Sequence, residues 1–428
     1  MGWLLYQAAT ALLLIVAAPY FLVRRSRHYL ATLGGRVGRY ASVESLPRLW
    51  IHAVSVGEVG VAKTLLGQIP DRVPVVLTTV TATGQEVARR TLGSRAEIAV
   101  LPLDLGRPIR RFWSRYTPAA LILVEGDYWP LVLREAERRG VPVAVVNGRV
   151  SDRGLRRQRP FRRFLHHLYD PIRAFGVQTS TDRERLVSLG ADPARIEVTG
   201  NLKFDSPEPD PLPELESAVL SLAAGRPVLV AGSTMAGEEG AVLDAFRRVG
   251  ADRALLVLAP RHPERSDEVE TEVRQAGLSL VRRSRLADGA PTAPAVCLLD
   301  TLGELAALYR IARGAFVGGT LVPTGGHNPL EPARWAVAVA AGPSMHNFAE
   351  SEALLDRRQA WHRVADAADL ASVWRDWIDD PEAAAHLGRR AAAALEENRG
   401  ATARSVALIA PLLEAVAAGG QQDKAGVG

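Results

Sequence analysis

Five apolar runs in the first part of the chain, LWIHAV, VPVVLTTV, AEIAVLPLD, AALILVE and VPVAVVN, each lead into a polar or glycine-bearing turn and then a helical stretch. Runs that are apolar at consecutive rather than alternate positions belong to strands covered on both faces, and the intervening helices supply the cover. RAFGVQ and RIEVTGNLKF continue the series, SPEPDPLPELE interrupts it with prolines and acids, and PVLVAGS, ALLVLAP, AVCLL, GAFVGG and AVAVAAG begin it again. The pattern predicts an α/β chain of two doubly wound, Rossmann-like domains: 25–204 and 217–417, a linker at 205–216 and a flexible tail at 418–428. A length of 428 residues agrees, being too great for one ordinary core.

Ahead of the first domain, Trp3 to Val23 is apolar apart from Gln7 and some small residues, and Arg24, Arg25, Arg27 and His28 follow at once. That run is long enough to cross a bilayer, and positive charge after it, not before it, predicts an uncleaved signal anchor with the rest of the chain in the cytoplasm. The net charge of +5 favours an anionic partner, which by charge alone includes nucleic acid, acidic lipid and phosphorylated sugar. The lone Cys297 excludes an internal disulfide framework and any multi-cysteine metal site.

In doubly wound sheets, ligands sit beyond the carboxyl ends of the strands. In the first domain those ends carry Ser55, Gly57 and Glu58, the threonines from Thr78 to Thr83, Glu125 with Asp127, and Asn147 to Arg149. Glu58 suits a general base taking a proton from an attacking hydroxyl, the reading its place at a strand exit favours, and also suits a carboxylate complementing a helix N-terminus. Lys203, at the end of the last strand before the linker, is a cation that can meet acid groups of a donor or pair with Glu125. From Arg149 to Arg163 there are seven arginines against one acid, Asp152, a one-signed surface for an anionic partner.

In the second domain, Ala315 to Ala333, AFVGGTLVPTGGHNPLEPA, runs from an apolar strand through two glycine pairs to a helix start. It is predicted to present backbone N–H groups to a phosphate, with Asn328 capping a helix that has Pro329 in its first position. Glu331 in the first turn suits a ribose hydroxyl pair, so a nucleotide fits better than inorganic phosphate. Arg261 and His262 suit phosphate contact, and Asp300 or Thr301 is expected to cap a helix beginning near Gly303. No HExxH, paired CxxC or Asp-x-Asp appears, so no metal site is indicated.

Taken in order, HAVSVGE, TATG, LPLDL, EGDYWP, VNGRVS, TGNLKFD, PRHPER, DTLGEL, FVGG and GGHNPLEPA resemble the Kdo transferases almost from end to end. These are membrane-anchored glycosyltransferases that move 3-deoxy-manno-octulosonic acid from CMP-Kdo onto a lipid A precursor. The resemblance implies a GT-B architecture at the inner membrane, no metal, no other cofactor and no nucleic acid. It implies Glu58 as general base and Glu125 and Lys203 as residues that steady the transition state. CMP contacts carried over by motif are Pro260 and Arg261, then Leu302, Gly303 and Glu304, then Asn328, Pro329, Leu330 and Glu331. Attack opposite the departing phosphate would invert the anomeric centre. The chain departs from the family at Gly126 and Asp127, where E-T-E is usual, at Met235 in place of histidine, and at Leu302 in place of methionine. Two other classes share the two-lobed expectation: another GT-B transferase or sugar-nucleotide epimerase, and a tethered solute-binding protein.

Overall fold

The structure is a computed structural model that describes residues 6–14, 16, 26–44, 46–205, 208, 210–288 and 293–425. The chain forms two compact units, one of residues 1–207 with 398–428 and the other of residues 208–397.

The first unit holds a sheet of seven strands in the order β3-β2-β1-β4-β5-β6-β7, every neighbouring pair parallel. The strands are β1 Arg48–His52, β2 Val75–Thr79, β3 Glu97–Val100, β4 Pro118–Val124, β5 Val143–Gly148, β6 Ile172–Val177 and β7 Ile196–Val198. Successive side chains of a strand point to opposite faces. Trp50, Leu121, Leu123 and Val145 therefore enter one core, while Leu49, Ile51, Ile122 and Val146 enter the other. Each fully buried aliphatic side chain of this kind stabilises the fold by about 1.5–3 kcal/mol. Cutting Trp50 to alanine would cost about 3–5 kcal/mol, since Phe112 and Trp113 pack on its ring.

The second unit repeats the plan with β8 Val228–Thr234, β9 Leu255–Pro260, β10 Leu280–Arg282, β11 Val296–Leu298, β12 Gly314–Val317, β13 Ala338–Ala341 and β14 His362–Arg363. Its all-parallel order is β10-β11-β9-β8-β12-β13-β14. β10 and β14 were not among the predicted strands, because each is a short edge piece carrying arginine or histidine and no buried apolar run. Strand order turns back between β1 and β4, and again between β8 and β12, which makes these the switch points where ligand sites form in such sheets.

The last helix corrects the expected domain limits. Ala401–Ala425 does not close the second unit; it packs on β4, β5 and β6 of the first. Its Ala401, Ile409, Leu412 and Val416 join the core around Leu49 and Ile51. Asp205 fixes its start by accepting from the N–H groups of Gly400 at 2.8 Å and Thr402 at 2.5 Å. Of the expected tail, residues 418–425 are helical and 426–428 lie outside the described residues.

Of the expected anchor, only residues 6–14 and 16 are described, all helical, and the rest of Trp3–Val23 lies outside the described residues. The Tyr6 hydroxyl donates to Asp104 of the same unit at 2.6 Å. Among the described residues, the one helical stretch long and apolar enough for a membrane is 381–417. That stretch is two helices, Pro381–Glu396 and Ala401–Ala425, which belong to different units.

Candidate active site

In the first unit the predicted catalytic side chains flank the β1/β4 switch point. β1 ends at His52, Ser55 takes the N-cap position, and the helix Val56–Leu66 carries Glu58 in its first turn. Glu58 is buried; its Oε2 accepts from the Val54 N–H at 2.8 Å and its Oε1 from the Ser55 hydroxyl at 3.1 Å. It therefore does act as part of the helix cap. Burial nonetheless pushes its carboxyl from 4.5 up to about 7, with the nearby Asp127 and Glu125 carboxylates adding to the rise and the two hydrogen bonds opposing it. A cap with the proton affinity of a neutral-pH base can do both jobs.

Glu125 follows β4 with φ of 65°, a left-handed conformation that a side chain adopts only under constraint, and Gly126 follows at φ of 127°. The turn aims the Glu125 carboxylate at Lys203, whose Nζ lies 3.0 Å from Oε1. The pairing weighed from the sequence is present. Asn147, at the exit of β5 and fully buried, holds the two segments together. Its Oδ1 accepts from the Leu202 N–H at 3.0 Å, its carbonyl from Gln178 Nε2 at 3.0 Å, and its Nδ2 lies 3.4 Å from Glu125 Oε1. The motif VNGRVS signalled this asparagine without its partners.

In the second unit the exits of β11, β9, β8 and β12 are consecutive, so the predicted nucleotide-contact segments lie along one sheet edge. Arg261 follows β9, its N–H donating to the Thr234 carbonyl at the end of β8 at 2.9 Å, and its exposed guanidinium makes no salt bridge among the described residues. Burial pushes the His327 imidazole down to about 4, and its electrostatic interaction with neighbouring Arg261 and His262 pushes the same way. Pro260 and Leu330 are buried, and the Leu330 backbone is already bonded, its N–H to Asn328 Oδ1 and its carbonyl to the Arg334 N–H.

The glycine-rich stretch after β12 does not do what its sequence suggests. The N–H groups of Gly319, Thr320 and Leu321 donate not outward but to the carboxylate of Glu238, at 2.6, 2.9 and 2.9 Å, and Met235 N–H joins them at 3.0 Å. Glu238 is wholly buried. Gly325 N–H goes to the Ser344 hydroxyl at 3.0 Å and Gly326 N–H to the Gly319 carbonyl at 2.8 Å. The glycines serve packing: a Cβ on Gly318 would lie 2.4 Å from the Ser233 carbonyl oxygen. What the loop presents is His327, Asn328 and Glu331 beyond it.

Asn328 Oδ1 accepts from the Leu330 N–H at 3.1 Å, but the N-cap position falls to Pro329, one residue later than expected, and the helix is a single turn, Leu330–Ala333. The helix after Gly303 is equally short, Leu305–Leu308, so neither has much dipole to offer a phosphate. Asp300 and Thr301 do not cap it. Asp300 accepts from the Ser284 N–H and hydroxyl at 2.9 and 2.6 Å, and Thr301 donates to Glu304. Glu304 is held by Arg283 through two bonds of 3.1 and 2.9 Å, a partner the motif gave no sign of. Gly303, at φ of 86°, and the exposed Leu302 remain open to a ligand.

Two parallel-sheet units with polar groups along their carboxyl edges define a doubly wound α/β class of protein. The UDP-GlcNAc 2-epimerase of Neisseria meningitidis, solved with UDP-GlcNAc, is similar at a TM-score of 0.57, with 12% identity over 86% of this chain and 100% of that one. That likeness establishes a GT-B-like fold. A family model described as 3-deoxy-D-manno-octulosonic-acid transferase (kdotransferase) matches residues 31–206. The 3-deoxy-D-manno-octulosonic acid transferase of Haemophilus influenzae is 33% identical over 91% of this chain and 93% of that protein. The one from Bordetella pertussis is 33% identical over 87% of this chain and 89% of that protein. The chain belongs to the 3-deoxy-D-manno-octulosonic acid transferase family, and is a glycosyltransferase.

Proposed function

We propose that the protein transfers Kdo from CMP-Kdo to a hydroxyl of a lipid A precursor, lipid IVA, with inversion at the anomeric carbon. The observation that carries this is Glu58: a buried carboxyl poised near neutrality at a strand exit, across the switch point from the Glu125–Lys203 pair. Glu58 takes the acceptor hydroxyl proton as the new oxygen–carbon bond forms. The bond from the anomeric carbon to the CMP phosphate breaks with its electron pair leaving on the phosphate. Lys203, oriented by Glu125, faces charge that develops in the transition state. Arg261, whose guanidinium is in no salt bridge among the described residues, meets the phosphate, and backbone at Leu302 to Glu304 and at Asn328 to Glu331 positions the nucleotide. These charges are supplied by side chains, so a divalent metal is not required.

The acceptor's phosphates and the membrane are met by the arginine-rich segment. Arg153, Arg156, Arg157, Arg159, Arg162 and Arg163 are all exposed, the run's acid Asp152 is bonded by Arg185, and Phe161 is 62% exposed beside them. Exposed arginine with exposed aromatic surface suits the headgroup zone of an anionic bilayer. The decisive experiment incubates the full chain with CMP-Kdo or UDP-sugars and a tetraacylated lipid A precursor. Kdo transfer supports the proposal, and turnover of a UDP-sugar in its place overturns it.

A further inference from the structure

His52, the last residue of β1, is 1% exposed and lies outside every residue the chemistry above uses. Its ring is bonded at both nitrogens. Trp129 Nε1 lies 3.0 Å from Nε2, and Thr78 Oγ1 lies 2.9 Å from Nδ1. An indole N–H only donates, so His52 Nε2 must accept, the ring proton must sit on Nδ1, and that proton goes to Thr78. Thr78 Oγ1 also accepts from Trp50 Nε1 at 2.8 Å. The groups bonded to the ring are uncharged, and burial pushes the imidazole down to about 4, so the neutral form with both bonds persists at neutral pH.

Trp129 ends the turn that carries Glu125 and Asp127. The upstream side of that turn holds the left-handed Glu125 and Gly126, and a Cβ on Gly126 would lie 3.3 Å from the Tyr128 hydroxyl. The downstream side enters the helix Pro130–Arg139, whose Leu131 N–H is shared by the two Asp104 oxygens at 3.2 Å. Strained backbone persists only when its surroundings over-determine it. Beyond the pairing of β1 with β4, the Trp129 indole bond ties the downstream side of this turn to the strand that leads to Glu58.

We propose that His52 is a positioning residue: through Trp129 it fixes the turn bearing Glu125 and Asp127 relative to Glu58, and so sets the field in which the base works. The groups facing Glu58 are the Asp127 and Glu125 carboxylates, the Val54 N–H and the Ser55 hydroxyl. If the turn drifts outward, the two carboxylates act on Glu58 less strongly and its proton is lost more readily.

The test compares His52→Leu, which removes both bonds, with His52→Gln, whose amide offers one acceptor and one donor, in the full-length protein. His52→Leu is expected to lower kcat roughly tenfold to a hundredfold, the scale of a small misplacement of reacting groups, with the KM for CMP-Kdo little changed. The acid limb of its rate profile should move below that of the wild type, and His52→Gln should restore both. Trp129→Phe, which keeps the ring and loses the N–H, should match His52→Leu, and the double variant should be no worse than either. The Trp129 indole proton, followed by NMR, should exchange slowly in the wild type and in His52→Gln and quickly in His52→Leu. An unmoved acid limb in folded His52→Leu, or additive losses in the double variant, would overturn the proposal. It rests on Glu58 as base; full activity in Glu58→Gln would remove that assignment, and the indole signal would still report the tether by itself.

Discussion

Lys203 Nζ lies 3.0 Å from Glu125 Oε1, joining the exit of β4 to the 3-10 turn Leu202–Asp205 after β7. Both side chains keep solvent contact, 42% for Lys203 and 26% for Glu125, so the pair contributes no more than about 1 kcal/mol to stability. Its role in transfer is expected to be larger. Lys203→Met and Glu125→Gln should each lower kcat about a hundredfold or more, the scale of losing a preorganised electrostatic group. Their melting temperatures should stay within about 4 °C of the wild type. Turnover and thermal melts on the same preparations decide it: a large fall in melting temperature with little loss of rate would make the pair structural.

Glu58 gives a pH signature. With its carboxyl raised from 4.5 to about 7, the base form is lost as pH falls through 7, so kcat/KM should decline below that value with unit slope. Glu58→Gln should lower turnover about a hundredfold or more and abolish that limb while CMP affinity holds. Stability moves in the opposite sense. Between about 4.5 and 7 the native group keeps a proton that the unfolded chain has released, so its contribution to stability falls as pH rises through that window. Denaturant titrations of wild type and Glu58→Gln from pH 4.5 to 8 should converge at the acid end. A variant that keeps its rate and only melts lower would leave Glu58 as a cap and nothing more.

Glu238 accepts four backbone N–H groups with no exposure to water. Glu238→Gln sets an amide N–H against those donors, and each buried group left unpaired costs about 1–3 kcal/mol. The loop from Gly318 to His327 should loosen, lowering the melting temperature and weakening CMP binding together. Calorimetric titration with CMP checks the second half. Lower stability at unchanged CMP affinity would show that this loop does not shape the nucleotide site.

Arg261 separates charge from metal. Arg261→Ala should weaken CMP binding tenfold or more, since a charged hydrogen bond contributes about 1.5–3 kcal/mol. Arg283→Ala acts indirectly, by releasing Glu304 toward the donor phosphate, and should raise the CMP-Kdo KM. Wild-type activity should survive EDTA. Loss of transfer with chelator and recovery with magnesium would give the phosphate charge to a metal ion.

Much of this was legible in the sequence, and the limits have physical reasons. Consecutive apolar residues betray strands covered on both faces, which is why β1 to β9 and β11 to β13 were all visible. β10 and β14 were not, since an edge strand needs no buried run. An alanine- and leucine-rich helix such as Ala401–Ala425 shows that it packs but not where, and Asp205, which fixes its start, is far away along the chain. Glu238, in the polar turn MAGEEG, looks like a surface acid until the N–H groups of Gly319 to Leu321 close on it from another strand exit. From sequence the glycines suggest a phosphate cradle, because the freedom glycine gives a loop looks the same whether the neighbour is a ligand or Ser233.

The arginine surface makes the last prediction. The helix Asp152–Gln158 buries none of its side chains, and the next helix, Arg162–Tyr169, buries Leu165, Leu168 and Tyr169 while Phe161 just before it stays exposed. A basic residue at an anionic bilayer surface contributes about 1 kcal/mol. Reversing Arg156, Arg157 and Arg159 to glutamate thus removes about 3 kcal/mol of attraction, worth roughly a hundredfold in affinity. With the acceptor presented in vesicles of phosphatidylethanolamine and phosphatidylglycerol, the variant's acceptor KM should rise steeply at low salt, and its CMP affinity should not change. Salt should narrow the difference, because the attraction is screened over a Debye length of about 10 Å at 0.1 M. Phe161→Ser should raise the same KM to a lesser degree that salt does not affect, since what it loses is apolar burial in the headgroup zone. Equal acceptor KM for wild type and the triple variant would make the arginines an ordinary solvated face and send the acceptor by another path.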